Sequence, residues 1–451
     1  MEYRNDTISA ISTPAGIGGI AVLRISGEQA IQIVSEIFHS KNPLNSYPSH
    51  KAILGRIYHG GKLIDEVLVT IFKAPHSYTG EDVVEISCHG SMFIANQILE
   101  LLLLKSRLAD PGEFTQRAFL NEKIGLTQAE AVGDLLIAKT KFSHLAALQQ
   151  FEGSLRHRIE KQLDVLTEMR TLLELEIDFQ EQGLDEFDSE GLNNKIKLLL
   201  KDLQELAETG REGMILKEGL KVSLVGAPNV GKSSIFNAFL QTERAIVTPH
   251  PGTTRDYLEE AIALNGYLVR IFDTAGIRET KDDIEKIGIE RSYEIIQSSH
   301  KVLFIIDGSE NEAEYKKLIQ LVDEKQIIKV INKSDLLSKK ELKKFSENGF
   351  IQCSTKSNDG LQKIKETLLN DIEISEAELT SGILTNTRQI AAVNRAILSL
   401  EKASLSMQNE MGVEFTAFDL KEASSALEEI IGKVSSDDIL NQIFENFCIG
   451  K

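Results

Sequence analysis

Apolar and polar residues alternate in short runs over the first part of the chain, as in "GGIAVLRIS", "VLVTIF" and "DVVEIS", with turn residues between them. Short alternating runs of β-type residues predict strands, so residues 1–118 read as an α+β domain. From about Leu126 the pattern changes. The stretch "LTQAEAVGDLLIAKTKFSHLAALQQFEGSLRHRIEKQLDVLTEMRTLLELEIDF" holds no proline and repeats its apolar residues at helical spacing, which predicts long helices packed together. "QEQGLDEFDSEG" is acidic and glycine-bearing, hence a solvated loop, and a further helical run covers Leu192 to Glu212.

At "KEGLKVSLVG" the pattern turns to short buried strands ("LVRIFD", "KVLFIID", "IIKVIN") alternating with helices. That alternation predicts a doubly wound parallel sheet over residues 218–375. The remainder, 376–451, is helical again. About 70 residues of helix make a marginal core alone, so this tail is expected to pack on the helices of residues 119–217. The α/β module would then be an insertion in a helical domain, giving a multidomain chain.

Size and composition agree with that division. At 451 residues and 50.1 kDa the chain exceeds what one core supports, and two to four domains follow. A formal net charge of −18 argues against nonspecific binding to nucleic acid, which rests on lysine and arginine neutralising phosphates. An RNA partner would have to use a local basic patch. Cys88, Cys353 and Cys448 are scattered without CxxC spacing, which suggests neither a disulfide framework nor a zinc site. No apolar run reaches the length of a membrane span, and the start is not signal-like. The expectation is a protein of the reducing cytoplasm that does not bind membrane.

The chemistry is concentrated in the α/β module. "GAPNVGKSS" (226–234) follows a predicted strand and opens a helix, the context in which a P-loop pattern is a phosphate site. Its glycines let backbone N–H groups close around phosphates, Lys232 reaches the β and γ oxygens, and Ser233 serves Mg²⁺. Asn229, Val230, Gly231 and Ser234 complete the loop. Three motifs then follow in order. "GTTRD" (252–256) supplies Gly252 and Thr254, the latter for Mg²⁺ and the γ-phosphate. "DTAG" supplies Asp273, Thr274, Ala275 and Gly276. "NKSD" supplies Asn332, Lys333 and Asp335, with Ser354, Thr355 and Lys356 of "CSTK" closing the base pocket. The Asp335 carboxylate can accept two hydrogen bonds from guanine N1 and its exocyclic amine, which adenine does not offer. The set reads as a GTPase. One feature is missing: Ras-like GTPases place a water-orienting glutamine after DxxG, and here that position is Ile277.

Together with "AVLRISG", "TGEDVVEISCHG", "PGEFTQRAFLNEKIGLTQAEA" and the final "FCIGK", these motifs resemble, over the whole chain, the MnmE (TrmE) family of bacterial and organellar tRNA-modification GTPases. The resemblance implies a homodimer joined through a tetrahydrofolate-binding N-terminal domain. It implies a flavin-dependent partner, MnmG (GidA), in a heterotetramer or larger complex. The implied reaction places an aminomethyl or carboxymethylaminomethyl group on C5 of the wobble uridine of certain tRNAs, from 5-formyl- or 5,10-methylene-tetrahydrofolate. In the family a glutamate further along replaces the glutamine, and it falls on Glu285. K⁺ takes the part of an arginine finger, held by Asn229, the carbonyls of Thr248 and His250, and the Thr253 side chain, in a loop that also contains Pro249 and Pro251. The folate ligands fall on Arg24, Glu81, Lys123 and Lys451, and Cys448 is a candidate for a catalytic or positioning role.

Two other classes are weighed against this. A ribosome-assembly GTPase of the Era or Der kind appends a KH-like domain with a GxxG loop after its G domain, whereas this chain continues in helices to "FCIGK". A folate-dependent methyltransferase with a regulatory G domain would need a flavin or nicotinamide fingerprint, and "GIGGIA" at 16–21 lacks GxGxxG spacing.

Overall fold

The computed structural model describes residues 6–179, 188–242, 259–273, 295–308, 327–372, 376–409, 411–434, 437–445 and 447–451. The chain divides into two compact units, one of Met1–Leu136, Gln150–Ile196 and Leu398–Lys451, the other of Ile137–Gln149 and Lys197–Ile397.

The first unit begins with β1 (Ile8–Ile11), β2 (Ile20–Ser26), β3 (Phe38–His39), β4 (Lys51–His59), β5 (Lys62–Phe72), β6 (Val83–His89) and β7 (Arg107–Leu108). They form a seven-stranded sheet in the order β3-β4-β5-β6-β2-β1-β7. The pairs are antiparallel except β1 with β7. Alternation explains its sidedness. Ile53 and Ile57 of β4 and Val67, Val69 and Ile71 of β5 point into the core, while Leu54 and Leu68 between them are exposed. The inner face carries α1 (Ala30–Ile37) and α2 (Met92–Leu103), whose Ile31, Val34, Ile98 and Leu102 fill the layer.

Helices complete this unit: α3 (Glu113–Leu120), α4 (Leu126–Ile137), α6 (Ser154–Phe179), α13 (Val413–Ile431) and α14 (Asp437–Phe444). Leu155, Ile159, Leu163, Leu166, Met169 and Leu173 make one buried stripe along α6, three and four residues apart as a helix requires. It lies against α13 and its buried Leu420, Ala423 and Leu427. Leu440 and Phe444 of α14 pack on Leu126 and Ala129.

The second unit holds a six-stranded sheet of β8 (Leu220–Val225), β9 (Glu259–Leu264), β10 (Tyr267–Asp273), β11 (Lys301–Ile306), β12 (Ile327–Ile331) and β13 (Ile351–Gln352), in the order β13-β12-β11-β8-β10-β9. All pairs are parallel except β9 with β10. β11 has six consecutive buried residues, the run expected of a strand covered on both faces. Helices α8 (Lys232–Thr242), α9 (Lys339–Glu347) and α10 (Leu361–Leu369) follow β8, β12 and β13. The expected α/β P-loop architecture is therefore present beside an α+β domain and a set of helices.

The proline-free helical run is broken twice, leaving α5 (Lys141–Phe151) between α4 and α6. Gly153, at φ 89°, sits at the second break, a left-handed conformation that glycine adopts without strain. Residues 137–149 belong to the unit of the parallel sheet, although periodicity alone groups them with the neighbouring helices. Phe142, Leu145 and Ala146 pack into that unit's core. Three long or short helices remain in chain order around the sheet unit: α7 (Ser189–Glu218), α11 (Glu376–Thr380) and α12 (Thr387–Gln408). The boundaries between the units fall within α7 and α12 and near the ends of α4 and α5.

Candidate functional site

Because β8, β11, β12 and β13 are parallel, their carboxyl ends meet at one edge of the sheet. Strand order reverses around β8, which is where ligands of open α/β sheets bind. The loop of residues 226–231 leaves β8 there and opens α8. Asn229 and Gly231 are both left-handed, at φ 68° and 96°, and a Cβ on Gly231 would run into the Asn332 side chain. Lys232, almost fully buried, donates from Nζ to the carbonyl oxygens of Gly226 and Ala227 at 2.7 and 2.8 Å. Ser233 and Ser234 lie exposed in the first turn of α8, and Val230 is buried behind the loop.

The ends of the neighbouring strands are tied to that loop. Asn332, 1% exposed, donates from Nδ2 to the Val230 carbonyl at 2.9 Å, while its Oδ1 is buried without a hydrogen-bond partner. Lys333 donates to the Asn229 carbonyl at 2.8 Å and to Asp307 at 2.6 Å. Asp335 is exposed and accepts from the Ser354 hydroxyl at 2.6 Å. That hydrogen bond, assisted by the charge of Lys356, holds its carboxyl below the usual range. Thr355 and Lys356 follow Ser354 in the same loop. Asp273 closes β10 in register with Leu224 of β8, one strand from the phosphate loop. The other expected nucleotide residues, Thr248, Pro249, His250, Pro251, Gly252, Thr253, Thr254, Thr274, Ala275, Gly276 and Glu285, lie outside the described residues.

A second group of candidates gathers in the first unit. Arg24 on β2 faces Glu85 on β6, and its Nε and Nη2 both donate to one carboxylate oxygen, at 3.0 and 2.7 Å. Its guanidinium lies 5.1 Å from the Tyr78 ring centre and 5.6 Å from that of Phe114. The third nitrogen, Nη1, is buried with no partner. Lys451 is drawn in beside it. Burial, then the Arg24 charge, pushes the Lys451 ammonium pKa down, and Glu85 and Cys448 partly offset this. The final residues are held by backbone bonds from Phe114 N–H to the Lys451 oxygen at 3.1 Å and from Gly112 N–H to the Cys448 oxygen at 3.5 Å.

Glu81 is reached through Ser26, which shares a face of β2 with Arg24. The Ser26 hydroxyl donates to Glu81 at 2.7 Å and Arg117 donates to its other oxygen at 3.2 Å. Lys123 is exposed and donates to the Pro75 carbonyl at 3.0 Å. Thus Arg24, Lys451 and Cys448 are brought together, Glu81 adjoins them, and Lys123 stands at the margin beside Gly80.

The sequence reading missed Arg117, which is 4% exposed and binds Asp6, Glu113 and Glu81 together. The Glu113–Arg117 spacing of four on a helix was the available signal. It also missed Tyr78, Phe114 and Glu85, which carry no periodic signature. No cluster of metal-ligating His, Cys, Asp or Glu side chains occurs among the described residues. No helix among them is long and apolar enough to cross a membrane.

The family model of the MnmE helical domain matches residues 126–448, and that of the GTP-binding protein TrmE N-terminus matches residues 7–123. A tRNA modification GTPase MnmE of Alkaliphilus oremlandii is 42% identical over 460 residues, covering 100% of each chain. That of Clostridioides difficile is 41% identical over 458 residues, again covering 100% of each. Among solved structures, the G domain of the T. maritima FeoB iron transporter is 26% identical, covering 34% of this chain and 99% of that one, with a TM-score of 0.27.

Proposed function

The chain belongs to the MnmE (TrmE) family of tRNA modification GTPases, and from that premise we propose a potassium-activated GTP cycle that drives modification of a wobble uridine. The carrying observation is the hydrogen bond between Asn332 and Val230. It fixes the distance between the base-reading motif and the phosphate loop, as selective binding of one whole nucleotide requires.

Guanine is read by Asp335, ionised and oriented by Ser354, and the phosphates are cradled by the amides of residues 229–234. Lys232 would exchange its bonds to the loop carbonyls for β and γ oxygens. Ser233, an exposed hydroxyl in the first helical turn, and Thr254 would hold Mg²⁺, a hard cation that takes oxygen ligands. Asn229, exposed in the loop, would hold K⁺ together with Thr248, His250 and Thr253. A bound cation there supplies the charge stabilisation that an arginine finger gives elsewhere. Glu285 would position the attacking water, since Ile277 cannot.

The side chains gathered around Arg24 in the first unit suit a one-carbon tetrahydrofolate. The buried, unpartnered Nη1 of Arg24 and the half-buried ammonium of Lys451 are complementary to an anionic, acceptor-rich ligand, and a carboxylate such as Glu81 suits a pterin's amino and ring N–H groups. Lys123 would add a peripheral charge. Cys448 would position the one-carbon group or act on it. The described residues carry no flavin or nicotinamide fingerprint, so hydride chemistry is assigned to a flavin-dependent partner of the MnmG type, acting on tRNA with a homodimer of this chain in the cytoplasm.

Hydrolysis in K⁺ and Na⁺ buffers tests the nucleotide half of this reading. K⁺ should stimulate the wild type, and Asn229→Ala should lose that stimulation while binding GTP nearly as well. Equal stimulation of both proteins would remove Asn229 from the K⁺ site.

A further inference from the structure

β9 and β10 form a hairpin closed by a two-residue turn, Asn265–Gly266, with φ 49° and 88°. Positive φ at both positions is the turn that matches the natural twist of two paired strands. The open end of this hairpin leads into the two motif segments of the nucleotide site. Thr254 lies five residues before Glu259, and Asp273 is the last residue of β10. The closed end is gripped by α5. The Phe142 N–H, free because it lies in the first helical turn, donates to the Gly266 carbonyl at 3.2 Å. The Phe142 and Tyr267 rings are 4.6 Å apart at 31°, and a Cβ on Gly266 would lie 2.9 Å from the Phe142 ring. Thr140 and Ser143 cap α5 reciprocally, the Thr140 N–H donating to Ser143 Oγ at 3.1 Å and the Ser143 N–H to Thr140 Oγ1 at 3.4 Å. The start of α5 is thereby fixed on the turn.

Of the residues before Lys197, only Ile137–Gln149 belong to the sheet unit. They are joined directly to α4 on one side and, through Gly153, to α6 on the other. We propose that Phe142 and Tyr267 form the joint through which the nucleotide state at the open end of the β9–β10 hairpin is passed to α5 and so to the helices on either side of it. β9 and β10 are paired over six residues, and β10 is also held by β8, so a displacement at the open end is carried along the pair to its turn, and a packed aromatic contact shifts between discrete arrangements rather than stretching. This rests on the nucleotide site described above, and the two fail differently.

The test uses the full chain, as wild type, Phe142→Ala, Phe142→Leu and Tyr267→Leu. Amide exchange of α5 and α6 is compared with GDP and with a non-hydrolysable GTP analogue, and the GTP hydrolysis rate is measured for each. In the wild type, exchange in α5 and α6 should differ about fivefold or more between nucleotides. In Phe142→Ala that difference should vanish, with hydrolysis within about twofold of wild type. The two leucine variants, which keep apolar bulk, should retain part of it. A full nucleotide-dependent difference in Phe142→Ala, or none in the wild type, overturns the joint. Loss of hydrolysis in all three variants overturns it as well, because the contact would then be a strut of the sheet unit. Absence of hydrolysis in the wild type would instead overturn the nucleotide-site reading.

Discussion

The side-chain amide of Asn332 donates to the Val230 carbonyl at 2.9 Å, so the motif after β12 and the loop after β8 are fastened to each other inside the protein. Neither group is exposed enough for water to replace the other. Asn332→Ala leaves a buried carbonyl without its donor, which costs about 1–3 kcal/mol. The expected result is a lower unfolding midpoint in urea together with GTP affinity reduced about 10–100-fold. An unchanged midpoint would mean that the bond contributes nothing net.

Asp335→Asn should move preference from guanine toward xanthine nucleotide, because xanthine presents a carbonyl where guanine has its amine and an amide can donate to it. The pH dependence follows from Ser354. Its hydroxyl keeps the Asp335 pKa below the usual value, so the charged form survives as pH falls to the ordinary carboxylate range and is lost only below it. The Asp335 contribution to guanine selectivity should therefore persist as pH falls to the ordinary carboxylate range and be lost only below it, and Ser354→Ala should move that acid limb upward. Competition titrations with GTP and XTP across pH read both effects.

Arg117 is the centre of a buried charge network with Asp6, Glu81 and Glu113. Removing one partner of such a network leaves uncompensated charge, and Arg117→Met should cost about 3–5 kcal/mol. Burial alone would raise the Glu113 pKa, but hydrogen bonds from Arg107, the Asp110 N–H and Arg117 outweigh it and leave the pKa lowered. Asp6 is lowered in the same way by Arg107 and Arg117. Both contributions are complete above the unfolded carboxylate pKa and disappear as pH falls through the lower folded values. Urea unfolding against pH should show this acid loss in the wild type and only part of it removed in Arg117→Met, where Arg107 still holds both carboxylates.

Lys451 gives the same sign of pH dependence for a different reason, because its charged form is disfavoured in the folded protein. Burial and the Arg24 charge lower its pKa, so between the folded and unfolded values the unfolded chain binds more protons and stability rises with pH. An anionic ligand favours the charged ammonium, so its affinity should fall as pH rises through the lowered value. Calorimetry with 5-formyl-tetrahydrofolate should show proton uptake in that window. Arg24→Ala should weaken binding without altering GTP hydrolysis, and unchanged affinity would remove Arg24 from the pocket.

The sheet of the second unit was legible because the P-loop and NKSD each follow a strongly apolar run, whereas the two-residue strand before CSTK carries no such signal, and the parallel topology then brings their ends together. The place of α5 was not legible. Its apolar residues Phe142, Leu145 and Ala146 have the same helical spacing whether they face another helix or the end of a hairpin, and only the tertiary contact decides. The grouping of Arg24 with Lys451 and Cys448 could be anticipated from the sequence solely through family resemblance. Taken singly, Arg24 and Lys451 are ordinary surface charges, and the orphaned Nη1 that distinguishes Arg24 exists only once β2, β6 and the final residues are assembled.

GTP hydrolysis at the β8 edge is expected to drive modification of tRNA. The decisive experiment is mass spectrometry of nucleosides from total tRNA, in cells lacking this protein and in the same cells carrying wild type or Lys232→Ala. The C5-aminomethyl or carboxymethylaminomethyl uridines should be absent without the protein, restored by wild type and still absent with Lys232→Ala. Wild-type levels of these nucleosides in the Lys232→Ala cells would contradict that link.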